Sequence, residues 1–209
     1  MSDAAGEIVR DALIAQWRAI AREIPSRDLD EPSRVDGWRN REVVAHLSMQ
    51  PGLLVRFLSS ADSEAPRLNA GENLSGTRDL AELVDTATRE AALAGKIDFE
   101  VGAELAIAVL ATTDLEATIT TMQGPILLRD YLVTRCVEAV VHGGDLVPPV
   151  EPEVSAQAIA ADALLALLAT RDATLVAAAR AMPPATWLAI ATGRERAPAA
   201  FAVVAPLMG

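Results

Sequence analysis

Residues 129–146, RDYLVTRCVEAVVHGGDL, spell a helix that cannot be solvated over a broad face. At about 100° per residue, Tyr131, Thr134/Arg135, Glu138, His142 and Asp145 fall on one narrow stripe. Leu132, Val133, Cys136, Val137, Val140 and Val141 flank that stripe on both sides. A surface helix carries a wide polar face opposite its apolar one, whereas a thin polar line between two apolar walls faces a bundle interior or a cleft. The segment therefore demands apolar partners on two sides and something polar on the third.

The rest of the chain offers helices to meet that demand. Residues 5–24 place Ile8, Leu13, Ile14, Trp17, Ile20 and Ile24 largely on one helical stripe, and Pro25 stops the run. A loop rich in proline, aspartate and serine follows, and Asn40 reads as the N-cap of a second helix that Pro51 should kink or divide. After a polar stretch at 61–76, Thr77 reads as the cap of a third helix closed by Gly95. Residues 97–113 read as a further helix, and LEATITTMQGPILL reads as extended because of its β-branched residues and its Gly-Pro break. PPVEPEV is a linker, 154–180 an alanine-rich helical region, and the last thirty residues look irregular. The expected fold is all-α: a bundle of four or five principal helices with a short C-terminal appendage. Residues 1–150 are expected to form the bundle, completed by 154–180, with 181–209 as the short C-terminal extension.

Composition removes several function classes. A chain of 209 residues fits one ordinary domain. The net charge of −11 and scattered arginines argue against nucleic acid, which needs a clustered basic surface. The apolar stretch 154–191 is interrupted by Asp162, Arg171, Asp172, Arg180 and a double proline, so no membrane span is expected. A single cysteine excludes an internal disulfide, and the acidic N-terminus lacks a signal-like pattern, so a cytoplasmic location is expected.

An ionised Glu138 without a partner in an apolar interior would cost several kcal/mol. Glu138 and His142, four residues apart, project from one helical face and can ligate one ion. The only other histidine, His46, lies among Val43, Val44, Leu47 and Met49 on the second helix, again a polar group in apolar surroundings. His46, Glu138 and His142 are therefore candidate ligands of a metal with one open position. The plainer reading stands beside it: two satisfied core histidines, and Glu138 paired with Arg135 or another arginine. Cys136 lies on the far side of the helix from Glu138 and reads as packing. One Glu-x-x-x-His pair does not supply a di-iron carboxylate site.

SRVDGWRNREVVAHL resembles the segment that opens the N-terminal domain of mycothiol-dependent maleylpyruvate isomerases, and GPILLRDYLVTRCVEAVVHGGDL resembles that family's second signature. WLAIATGR is similar to a segment of its longer members. The resemblance spans most of residues 5–180 and implies a DinB-like four-helix bundle in which His46, Glu138 and His142 hold a divalent ion, usually zinc. The family's isomerases carry a sizeable C-terminal domain that helps enclose the substrate, to which the final residues FAVVAPLMG show no match.

The resemblance further implies mycothiol as the small-molecule thiol, activated as thiolate against a small electrophile, giving isomerisation or S-transfer. Asp145 is the candidate for orienting a metal ligand, or else a cap of the Gly-Gly turn. Arg194 is the candidate for binding a substrate carboxylate, or else an ordinary surface arginine. The competing class is a non-catalytic metal-bearing binding or regulatory module, including one that forms a homodimer through its alanine-rich helix.

Overall fold

The computed structural model describes residues 3–59 and 67–208. Its frame is four long helices: α1 (Asp3–Glu23), α2 (Asn40–Leu58), α5 (Phe99–Leu110) and α6 (Leu128–Asp145). They close a ring in the order α1, α6, α2, α5, with each neighbouring pair in contact. Leu13, Trp17, Ile20, Val43, Leu47, Leu54, Leu110 and Leu132 fill its centre. Two further helices, α3 (Ala70–Ser75) and α4 (Ala81–Leu93), lie between α2 and α5 in the chain, and α4 packs on α2. An antiparallel hairpin, β1 (Thr118–Thr121) with β2 (Gly124–Leu127), leads into α6, as the β-branched run predicts.

A second apolar core explains the two walls of α6. Helix α7 (Val154–Arg171) lies against α1 and α6, and α9 (Pro184–Ala191) lies against α7, after the short α8 (Val176–Arg180). Val137 and Val140 of α6 join Leu164, Leu168, Trp187, Phe201 and Leu207 there. Leu132, Cys136 and Ala139 face the ring centre instead. Helix α6 is thus the wall between two cores, and its third side is left for polar groups. By length and composition α7 could cross a membrane, but its leucines Leu164, Leu165, Leu167 and Leu168 are buried in this second core.

Several local readings need correction. Asn40 does not cap α2: it is fully buried in the first turn, donating to the Asp28 and Val147 carbonyls and accepting from Val147 N–H at 2.8–2.9 Å. The helix start is closed by Glu42, which accepts the Arg39 backbone N–H at 2.8 Å. Pro51 does not divide α2. A mid-helix proline costs about 3 kcal/mol, and burial of Leu47, Leu54 and Phe57 on either side, about 1.5–3 kcal/mol each, outweighs it.

Ile8 is 62 % exposed because, five residues before Leu13, it sits about 140° around α1 from that inward residue. Of the polar stretch 61–76, residues 61–66 lie outside those described. Asn69 opens α3, accepting the Glu72 N–H at 3.0 Å while Glu72 accepts that of Asn69 at 2.8 Å. Thr77 sits in a 3-10 turn, with α4 starting at Ala81, and Gly95 closes that helix at φ +66° as expected. The C-terminal thirty residues contain α9, whose proline in the first turn presets φ and whose Trp187, Leu188, Ile190 and Ala191 are buried.

Candidate metal centre

Helices α2 and α6 cross so that His46 meets the polar line of α6. His46 Nε2 lies 3.1 Å from Glu138 Oε2, and His142 Nε2 lies 3.5 Å from the same oxygen. One ligand atom from each of the three falls within 4.8 Å of the others, the one such cluster among the described residues. A tetrahedral ion with bonds near 2.0–2.2 Å separates its ligand atoms by about 3.3 Å. The spacing of His46, Glu138 and His142 therefore fits a single divalent cation.

The protonation pattern points the same way. Asp145 accepts from His142 Nδ1 at 2.9 Å, which leaves Nε2 as the ring atom turned toward Glu138. The Thr88 hydroxyl lies 3.5 Å from His46 Nδ1, on the side of the ring away from the cluster. His46 Nε2 itself faces two incompatible neighbours. Glu138 can only accept, whereas Gln50 Nε2, 3.0 Å away, can only donate. The Gln50 amide cannot be reversed, because its Oε1 accepts from Arg135 Nη1. One ring nitrogen cannot donate to Glu138 and accept from Gln50 at once, while a cation would take both imidazole lone pairs and the carboxylate together.

The electrostatics suit ligation. Burial, reinforced by the neighbouring His142, pushes the His46 pKa down and keeps the ring neutral. Burial pushes Glu138 up, but the His46 hydrogen bond and the Arg135 charge outweigh it and hold the carboxyl below its usual range. Burial likewise acts upward on Asp145, and hydrogen bonds from His142 and Arg194 overcome it, bringing its pKa to about 2. The Cys136 thiol is pushed by burial up to about 12, and its sulfur lies 3.8 Å from the Val9 carbonyl on α1, away from the cluster.

The three donor groups line a cavity of about 540 Å³. Trp38, from the loop before α2, forms one wall, its ring centroid 5.7 Å from that of His46 and 6.3 Å from that of His142. The indole N–H donates to Asp85 on α4 at 2.7 Å, and Arg34 N–H ties the same loop to the Asp145 carbonyl at 2.8 Å. Phe57, Tyr131 and the hairpin tip at Met122 and Gln123 line other sides. Arg194 reaches the cavity too, but its guanidinium is paired with Asp145 through Nη2 at 2.7 Å and Nε at 3.1 Å. The turn that delivers it needs Gly193 at φ +76°, where a Cβ would meet Pro206 at 3.3 Å.

All five residues singled out by sequence lie at or beside this cavity, with Arg194 joined to the cluster through Asp145 rather than standing alone. Sequence reasoning missed Gln50, Thr88 and Asp85. Gln50 had a readable signal, since it stands four residues after His46 on the same helical face. Thr88 and Asp85 had none, being brought in by the packing of α4 on α2.

No curated protein and no solved structure matches the chain. The family described as the mycothiol maleylpyruvate isomerase N-terminal domain matches residues 10–147, which hold His46, Glu138, His142 and Asp145 but not Arg194. With a match over most of its length and the four-helix frame of the DinB-like bundles, the chain belongs to the mycothiol maleylpyruvate isomerase N-terminal domain family.

Proposed function

We propose that the chain binds one divalent cation, most suitably zinc, through His46, Glu138 and His142, and uses mycothiol to isomerise a small electrophile or to transfer its thiol sulfur onto it. The observation that carries the reading is the convergence of two imidazoles and one carboxylate on the wall of a ligand-sized cavity. Two imidazoles and a carboxylate are the donor types that zinc takes, and three protein ligands leave one position exchangeable. Bound there, a divalent ion supplies Lewis acidity that favours thiolate over thiol at that position.

The chain's own residues supply the rest. Glu138 neutralises part of the ion's charge, Asp145 and Thr88 fix the imidazole orientations, and Trp38 restricts water around them. With Cys136 buried and turned to α1, the nucleophilic sulfur comes from a small molecule. Addition of the thiolate to a conjugated double bond, rotation and loss of the same thiolate restores the double bond in the other geometry. Protonation of the adduct instead leaves an S-conjugate.

The test is metal-dependent consumption of a small conjugated electrophile by untagged, zinc-loaded protein with mycothiol, followed by ultraviolet absorbance and product analysis. The expected result is turnover that disappears on zinc removal and returns on its restoration. No mycothiol binding at millimolar concentration would contradict the catalytic reading and leave the non-catalytic metal-binding module in its place.

A further inference from the structure

Arg135 is a buried guanidinium, 7 % exposed, on the cavity wall one turn before Glu138. Among the described residues no carboxylate lies within ion-pair distance of it. Its Nε donates to Thr134 Oγ1 at 3.2 Å, its Cζ lies over the Tyr131 ring 4.7 Å from the centroid, and its Nη1 donates to Gln50 Oε1. Its charge acts on Glu138 only through space, and a buried cation with no directly bonded anion is costly unless an anion visits the site. Its contact with Gln50 also fixes that amide, because a guanidinium only donates, so the amide oxygen faces Arg135 and the NH2 faces His46.

From this geometry we infer that Gln50, held in place by Arg135, is the hydrogen-bond donor to whatever anion occupies the exchangeable position of the metal, a thiolate in the proposed reaction. The inference rests on the metal reading given above. Gln50 Nε2 lies 3.0 Å from His46 Nε2, the atom whose lone pair a metal takes. Once that lone pair is engaged, the amide N–H has lost its acceptor while still aimed at the ion's surroundings. With Glu138 Oε2 and both imidazoles engaged by the ion, the ion's exchangeable ligand is the acceptor this N–H is placed to meet. Arg135 adds its positive charge to the same spot, and the pair together favour an anionic over a neutral occupant.

Gln50 is thus a contact residue for the ligand, and Arg135 a positioning residue that acts through it. The experiment loads the full chain with cobalt(II) and titrates N-acetylcysteine, reading the sulfur-to-cobalt charge-transfer absorbance for thiol affinity and the visible bands for cobalt affinity. Gln50→Met, close in shape but without a donor, should keep cobalt affinity within about twofold and weaken thiol binding about tenfold, the loss of one hydrogen bond to a charged acceptor. Gln50→Glu, which puts a second negative group at the same place, should weaken thiol binding further. Arg135→Met, which frees the amide to turn, should give a smaller loss than Gln50→Met.

Wild-type thiol affinity in cobalt-loaded Gln50→Met overturns this inference and leaves the metal reading intact. Failure of the wild-type protein to take up cobalt overturns the metal reading and the inference with it. Should Gln50→Met not fold by circular dichroism, the Gln50→Glu and Arg135→Met titrations carry the same decision.

Discussion

Asp145 joins His142 to Arg194: one carboxylate, with a side chain 1 % exposed, accepts from His142 Nδ1 at 2.9 Å and from Arg194 at 2.7 and 3.1 Å. The histidine and aspartate lie within the family-matched segment 10–147, and the arginine lies after it. A residue close to the C-terminus therefore sets the orientation of a candidate metal ligand on α6. Removing groups that orient a metal's ligands commonly weakens metal binding 10–100-fold. Asp145→Asn should raise the zinc dissociation constant by about that range, and Arg194→Ala by about tenfold, measured by competition with a chromophoric chelator. Unchanged zinc affinity in both variants would show that the Asp145 link does not act on the metal.

The ligand set itself makes a sharper claim. His46→Ala and His142→Ala should each lose stoichiometric zinc while circular dichroism stays helical, because neither ring is part of the apolar packing of Leu13, Trp17, Leu47 and Leu132. Glu138→Gln removes the charge that balances the ion and should weaken binding at least as much as loss of a histidine. Metal analysis by mass spectrometry checks all three, and zinc retained in any one of them would remove that residue from the site.

Zinc removal should lower stability without unfolding the chain. A ligand that binds only the folded state adds about 2.7 kcal/mol at a hundredfold excess over its dissociation constant. The two apolar cores do not depend on the site, so the metal-free protein should stay helical and melt several degrees lower. Differential scanning calorimetry with and without a chelator measures the shift. An identical Tm in excess zinc and in chelator would count against binding to the folded state.

Cys136 is fully buried against α1 and should not react with iodoacetamide until the chain is unfolded. Cys136→Ala should keep zinc binding and mycothiol-dependent turnover, at a cost of about 1 kcal/mol for the small cavity left behind. Rapid labelling of native protein, or turnover lost with the fold intact, would return the thiol to the chemistry.

The site was legible where it depends on helical period. Glu138 and His142 stand one turn apart on α6, and two apolar walls announced that this helix is buried on both sides. The structure supplies the reason for two walls rather than one, since Val137 and Val140 face the second core while Leu132 and Cys136 face the first. What sequence could not give is contact across long separations. The pairing of Asp145 with Arg194, and of Trp38 with Asp85, is made by packing between elements that carry no mark of one another.

Local signals were also present but read too simply. Asn40 looked like a cap because asparagine favours that place, yet its side chain does more as a buried brace between residue 28 and residue 147. Asn69 and Glu72 form the capping pair that opens α3, in a stretch whose polarity suggested only loop. The irregular look of the last thirty residues came from their prolines, one of which begins α9.

One ion is proposed to sit between His46, Glu138 and His142. The most direct measurement is anomalous diffraction across the zinc absorption edge from crystals of untagged protein grown with excess zinc. A single strong peak is expected about 2 Å from Nε2 of His46, Nε2 of His142 and a carboxylate oxygen of Glu138. Well-ordered side chains at those three residues with no anomalous peak between them would contradict it.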